Sequence, residues 1–153
     1  MSDRIFVVPY DFSASSRAAL SAAAGLGRRV NASLHLIHVI EPPKYACGYA
    51  DMGASAMPPP VDIEEIRAAA MRSLREVAGA TRALGGEAEV HVIEGSGIAD
   101  MIAEYAKTVA ADLIIICTRG RTGVARALLG SVAERTLRCA SCPVLTVPSR
   151  PEA

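Results

Sequence analysis

The segment Leu113-Ile114-Ile115-Ile116-Cys117 narrows the folds open to this chain more than any other. It is an unbroken apolar run, closed by Thr118-Arg119-Gly120. A strand with one wet face alternates apolar and polar residues; a strand without alternation is covered on both faces, as in the middle of a parallel sheet. The rest of the chain supplies such a sheet. Ile5-Phe6-Val7-Val8 is a short β-branched run ended by Pro9, followed by Ser13 and then by Ala19, Ala22, Ala23 and Leu26 at helical spacing. Residues 34–40 predict a second strand, and Ile63, Ile66, Ala70, Leu74 and Val77 a longer helix ending at Gly85-Gly86. A third strand over 89–93 precedes a helix marked by Ile98, Met101, Ile102 and Tyr105. A last helix over 131–140 leads to a fifth strand, Val144-Leu145-Thr146-Val147, halted by Pro148. Strands alternating with helices in this way predict an α/β domain with a five-stranded, doubly wound parallel sheet and right-handed crossovers.

The length of 153 residues suits one domain over 1–153, large enough to fold without disulfides or metal. Aromatic residues are 4% of the chain and tryptophan is absent, so the core must be aliphatic and the alanine-rich helices able to lie close to the sheet. Sixteen basic residues balance sixteen acidic ones, which leaves no basic footprint for nucleic acid. The apolar runs are far shorter than the ~20 residues of a membrane span. Only Ile5 to Val8 separates Asp3-Arg4 from Pro9, too little for a secretory signal, so a cytoplasmic location is expected. Cys47, Cys117, Cys139 and Cys142 are read as reduced thiols in that compartment. Cys139 and Cys142 form a C-x-x-C pair, but at a helix end before Pro143 rather than at a helix start, which argues against thioredoxin-like chemistry.

Residues 41–60 break the alternation with five prolines, two glycines, two tyrosines and two methionines. They predict a long mobile loop at the carboxyl end of the second strand, either a solvated excursion or a lid over a ligand. The segment Cys117-Thr118-Arg119-Gly120-Arg121-Thr122-Gly123, followed by Gly130-Ser131 at a helix start, has the outline of a phosphate cradle: backbone amides converge from both ends, and Arg119, Arg121 and Arg126 offer guanidinium forks. The same residues also read as a capping box, Ser131-Val132-Ala133-Glu134, behind a turn that needs glycine at 120 and 123. No P-loop lysine string is present.

Thr118-Arg119-Gly120-Arg121-Thr122-Gly123, Leu128-Leu129-Gly130-Ser131-Val132-Ala133-Glu134 and Cys142-Pro143-Val144-Leu145 resemble the carboxyl-terminal signature of universal stress proteins. Val8-Pro9-Tyr10-Asp11-Phe12-Ser13, Leu36-Ile37-His38-Val39-Ile40 and Gly95-Ser96-Gly97-Ile98-Ala99 resemble the same family, so the likeness covers nearly the whole chain. Its ATP-binding branch carries G-x2-G-x9-G-[ST]; here Gly120 and Gly130-Ser131 keep the spacing, and Cys117 stands where the first glycine belongs. The resemblance implies a Rossmann-like sheet of the adenine nucleotide alpha hydrolase type, with strand order 3-2-1-4-5. It implies ATP or another adenine nucleotide, with or without Mg2+, at the carboxyl ends of strands one and four, the switch point of such a sheet. Pro9, Tyr10 and Asp11 would line the site, with Asp11 near the ribose or the metal. Val39 would flank the adenine, Ile116 and Cys117 would contact base and ribose, and Gly120 with its neighbours Arg119 and Arg121 the phosphates. Gly130, Ser131 and Val132 would hold the phosphate chain. A homodimer through Val144 to Val147 is implied as well, and an apolar edge strand invites such pairing. The functions to weigh are a nucleotide-binding stress module, a dimeric interaction protein of the same fold without nucleotide, and slow ATP hydrolysis with Asp11 as its one nominated base.

His35, His38 and His91 fall within strands rather than at ligand spacing, so ordinary sheet positions are expected for them and no metal site. Gly95-Ser96-Gly97 lacks the third glycine of the dinucleotide fingerprint and reads as a turn into a helix.

Overall fold

Every strand of the computed structural model runs parallel to its neighbours, and the two most apolar ones lie in the middle. The structure describes residues 4–42, 62–82, 88–118 and 129–148. In chain order the elements are β1 (Arg4–Pro9), α1 (Ala14–Val30), β2 (Ala32–Ile40), α2 (Ile63–Arg82), β3 (Ala88–Glu94), α3 (Ile98–Thr108), β4 (Leu113–Cys117), α4 (Ser131–Cys139) and β5 (Val144–Val147). The sheet order is β3-β2-β1-β4-β5, so β1 and β4 are neighbours, in register at Phe6↔Leu113 and Val7↔Ile114. From Ile114 to Cys117 every residue of β4 is buried, as its lack of alternation requires.

Alternation along the strands divides the core between the two faces of the sheet. Phe6, Val8, Leu34, Leu36 and Ile115 pack under α1 through Ala19, Leu20, Ala23 and Ala24, and under α2 through Leu74. Val7, Ile37, Ile114 and Ile116 pack on the other face, under Ile102 and Ala106 of α3 and Ala133 of α4. Burying side chains such as Leu36 and Ile114, both wholly inaccessible, contributes about 1.5–3 kcal/mol each.

The helices start and stop by local chemistry. Ser13 caps α1 by accepting from the Ser16 amide at 3.1 Å, and Asn31 closes it in the left-handed region at φ 52°. Gly97, at φ 83°, precedes α3, which agrees with a turn into a helix; its amide donates to Glu41 Oε1 at 2.8 Å. α4 stops at Cys139, one residue earlier than the sequence spacing predicts, with Ala140 extended at ψ 140° as its cap. α2 runs to Arg82, and Gly85-Gly86 lie outside the described residues, as does all of the expected 41–60 loop except Glu41 and Pro42. Among the described residues no helix is long and apolar enough to cross a membrane.

Candidate functional site

The turn after β1 is held rigidly by its own polar groups. Pro9 ends the strand, and the Tyr10 amide continues the ladder by donating to the Ile37 carbonyl at 2.8 Å. Asp11 Oδ1 accepts from the Ser13 amide at 3.0 Å and from Ser13 Oγ at 2.6 Å, forming an Asx turn that leaves Phe12 at φ 66°. His38 Nδ1 lies 2.7 Å from the Tyr10 carbonyl; since a carbonyl only accepts, the ring proton sits on Nδ1. The Phe12 ring packs at 5.0 Å from the His38 ring and edge-on at 5.3 Å from Tyr10. Burial raises the Tyr10 phenol above its ordinary value, so it stays protonated.

At the end of β4 the Thr118 amide donates to the Val147 carbonyl at 2.9 Å, and the Gly130 amide returns to the Thr118 carbonyl at 2.6 Å. This closure brings the first turn of α4 beside β4. The N-cap is Gly130, with extended torsions of φ −73° and ψ 154°, and no side chain among the described residues is seen to cap the helix. The capping-box reading of Ser131 and Glu134 therefore does not hold: Ser131 is already the first helical residue, and Glu134 Oε1 accepts from Arg138 Nη2 at 2.9 Å, one turn on. Arg135 reaches α3 with a forked bond to Asp100, at 2.7 Å to Oδ2 and 3.2 Å to Oδ1, which fixes the two helices relative to each other.

Between these two ends lies a cavity of about 810 Å³, counting the space open at its mouth. Pro9, Tyr10 and Asp11 line it from the β1 end, Val39 from β2, Ile116 and Cys117 from β4, and Gly130, Ser131 and Val132 from α4. These are all the expected site residues that fall among the described ones; Arg119, Gly120 and Arg121 lie outside them, as do Arg126 and Gly123. Sequence reasoning missed Ser16, Ile37, His38, Ile98 and Ile102, which also line the cavity. Ile98 and Ile102 are one turn apart on α3, and that spacing together with parallel β2 was the signal that could have found them.

Cys117 is 8% exposed and belongs to the apolar cluster on the α1 face, with Val8 and Ile115, while Ile116 belongs to the α3 and α4 face. Cys117 packs in the α1-face cluster and also lines the cavity, beside Tyr10 and Ser16. The other two described cysteines are free thiols: Cys139 is exposed at the last residue of α4 and Cys142 is half-buried beyond it. Burial, joined by the nearby Asp112 charge, pushes the Cys142 thiol up, the reverse of what a redox nucleophile needs. The histidines depart from expectation. His35 and His91 come together with Glu89 on β2 and β3, and none of the three lines the cavity.

Comparison with known proteins accounts for this architecture. Residues 3–148 match the model of the universal stress protein family. The chain belongs to that family. It is 32% identical over 141 residues to a universal stress protein of Methanocaldococcus jannaschii, covering 92% of this chain and 79% of that relative. Among solved structures, the universal stress protein from Archaeoglobus fulgidus in complex with dAMP superposes with a TM-score of 0.70 at 24% identity, over 95% of this chain and 98% of that one. A universal stress protein in complex with cAMP superposes at 0.65 with 27% identity, over 94% and 95%. The five-stranded parallel sheet with order 3-2-1-4-5 is thus the fold of the family, and this chain is a universal stress protein domain built around that sheet.

Proposed function

We propose that this stress-family domain holds an adenine nucleotide, ATP or a relative of it, in the cavity between the ends of β1 and β4. The start of α4 carries the reading: Gly130, Ser131 and Val132 line the cavity at a helix start that its N-cap residue, a glycine, does not cap with a side chain, and such a helix start attracts phosphate. The aliphatic walls from Ile37, Val39, Ile98, Ile102 and Ile116 suit a purine. Family members bound to dAMP and to cAMP lend support. In this reading Pro9 and Tyr10 form one wall and Val39 flanks the base. Ile116 and Cys117 meet base and ribose, Arg119, Gly120 and Arg121 the phosphates, and Gly130, Ser131 and Val132 the phosphate chain. Asp11, its carboxylate fixed by Ser13, faces the ribose or a Mg2+ ion. One carboxylate plus phosphate oxygens is a set that Mg2+ accepts, with water completing it. A cytoplasmic, homodimeric protein paired through β5 completes the proposal.

The test is to denature freshly purified protein and chromatograph what it releases, then titrate the stripped protein with ATP, ADP and AMP in a calorimeter, with and without Mg2+. Near-stoichiometric nucleotide or saturable binding is expected. Absence of both released nucleotide and binding heat would overturn the proposal.

A dimeric interaction protein without nucleotide is the second reading, and Cys117 at the first glycine position of the family motif favours it. It predicts that Cys117→Gly creates ATP binding absent from the parent. Slow hydrolysis is a third reading and requires that phosphate release exceed background and fall in Asp11→Asn.

A further inference from the structure

On β2 and β3, away from the nucleotide cavity, the register brings together three side chains with metal-binding chemistry. His35 pairs with Glu89 and Ile37 with His91, and alternation turns Glu89 and His91 to the face that His35 occupies. Glu89 Oε2 is 3.8 Å from His35 Nε2 and 3.6 Å from His91 Nε2, and the three donor atoms all lie within 4.8 Å of one another. The two imidazole rings lie 5.2 Å apart and 30° from coplanar. From α3 the Tyr105 hydroxyl meets His35 Nδ1 at 2.9 Å.

As a self-contained polar cluster this arrangement is incomplete. Separations of 3.6 and 3.8 Å are too long for hydrogen bonds, and His91 Nε2, shielded from solvent, has no hydrogen-bond partner among the described residues. In the tautomer that donates Nδ1–H to the Tyr105 oxygen, His35 Nε2 has a lone pair free for a cation beside Glu89 and His91. Three donor atoms within 4.8 Å of one another then form a set that a cation can share.

We propose that His35, Glu89 and His91 form a binding site for a divalent metal ion of the Zn2+ class, with its fourth position open to solvent. Two imidazoles and one carboxylate suit Zn2+, whereas Ca2+ and Mg2+ prefer oxygen donors throughout. Tetrahedral ligands at 2.0–2.1 Å lie about 3.3 Å apart, so the widest separation here must close by at most about 1.5 Å. Glu89, whose side chain is 68% exposed, has the freedom to close its own separations of 3.8 and 3.6 Å, and the wider one, between the two imidazoles, must close by rotation of the His35 and His91 rings. Tyr105 supplies the outer hydrogen bond that commonly orients a metal-bound histidine. β3 is an edge strand, so solvent reaches the cluster, and a bound ion would fasten that edge to β2 and α3.

The test uses tag-free full-length protein, labelled with 15N at its three histidines and kept reduced, titrated with ZnCl2 alone. One equivalent is expected to shift the imidazole nitrogens of His35 and His91 and to spare His38, whose Nδ1 is engaged by the Tyr10 carbonyl. Calorimetry should show binding weakened at least tenfold in both His91→Asn and Glu89→Gln, and unchanged in Cys139→Ser/Cys142→Ser, with circular dichroism confirming that each variant is folded. Glu89→Gln replaces an exposed side chain, so it serves even if His91→Asn fails to fold. Zinc uptake that vanishes with the two cysteines, equal shifts at all three histidines, or no shift at millimolar zinc would each overturn the proposal.

Discussion

Ser13 does two jobs with one hydroxyl: its oxygen accepts from the Ser16 amide at the start of α1 while its proton goes to Asp11 Oδ1. Ser13→Ala removes the cap and loosens the Asp11 carboxylate together, at a cost of about 1 kcal/mol. For a chain of this length that is a fall of roughly 2–4 °C in the thermal midpoint, which calorimetry would measure. Cys142 offers a second check at this scale. Its thiol is held above the ordinary value of 9.0, chiefly by burial, so the native state keeps the proton to higher pH than the unfolded chain does. This contribution to stability is complete below the unfolded thiol's pKa and is lost as pH rises through the folded value. Iodoacetamide at pH 8 should modify exposed Cys139 well before Cys142, and urea should abolish the difference; peptide mass spectrometry reads both. Equal native rates would show Cys142 to be more open and more acidic than its surroundings imply.

Among the elements, α4 links stability to binding most directly. Gly130 caps it without a side chain, in extended torsions that any L-residue adopts. Gly130→Asp supplies a cap, worth a few tenths of a kcal/mol, and places a negative charge where the proposed phosphates would lie. Urea unfolding should show a slightly more stable protein, and calorimetry a loss of ATP affinity of at least tenfold. This helix also shows what sequence alone could and could not carry. The apolar run of β4 and the helical spacing of α1 and α3 were legible because a covered strand and an amphipathic helix leave different periods. Strand ends were less so: Ala32, Ser33 and Glu94 extend β2 and β3 through ladder bonds that no side-chain pattern announces. Ser131-x-x-Glu134 matches a capping box in letters, yet the cap fell one residue earlier because the chain returns from Thr118 through the Gly130 amide. The cavity residues of β1, β2 and β4 were recoverable through resemblance and the switch-point rule. The histidine cluster was not, because Glu89 and His91 declare a shared face by their spacing but only the β2–β3 register delivers His35 to it.

For the whole molecule, the two edges of the sheet are unlike. β3 ends one side with Glu89, His91 and Glu94, whereas β5 ends the other with Leu145, 40% exposed on a strand that pairs only with β4 among the described residues. An apolar edge of that kind is where a second copy would pair. Leu145→Lys should turn a dimer into a monomer by light scattering, with the thermal midpoint of the isolated domain little changed; a wild-type monomer would remove β5 from consideration as an interface. The strand order has a further consequence, in time rather than in space. Val7 pairs with Ile114, so β1 is made early and its inner partner arrives more than a hundred residues later. At synthesis rates of 5–20 residues per second, the edge carrying Phe6, Val7 and Val8 waits roughly 5–20 s on the ribosome with an apolar, unpaired ladder. Until β4 emerges, the strand that ends at the centre of the sheet thus presents an apolar edge of the kind that can pair with other chains.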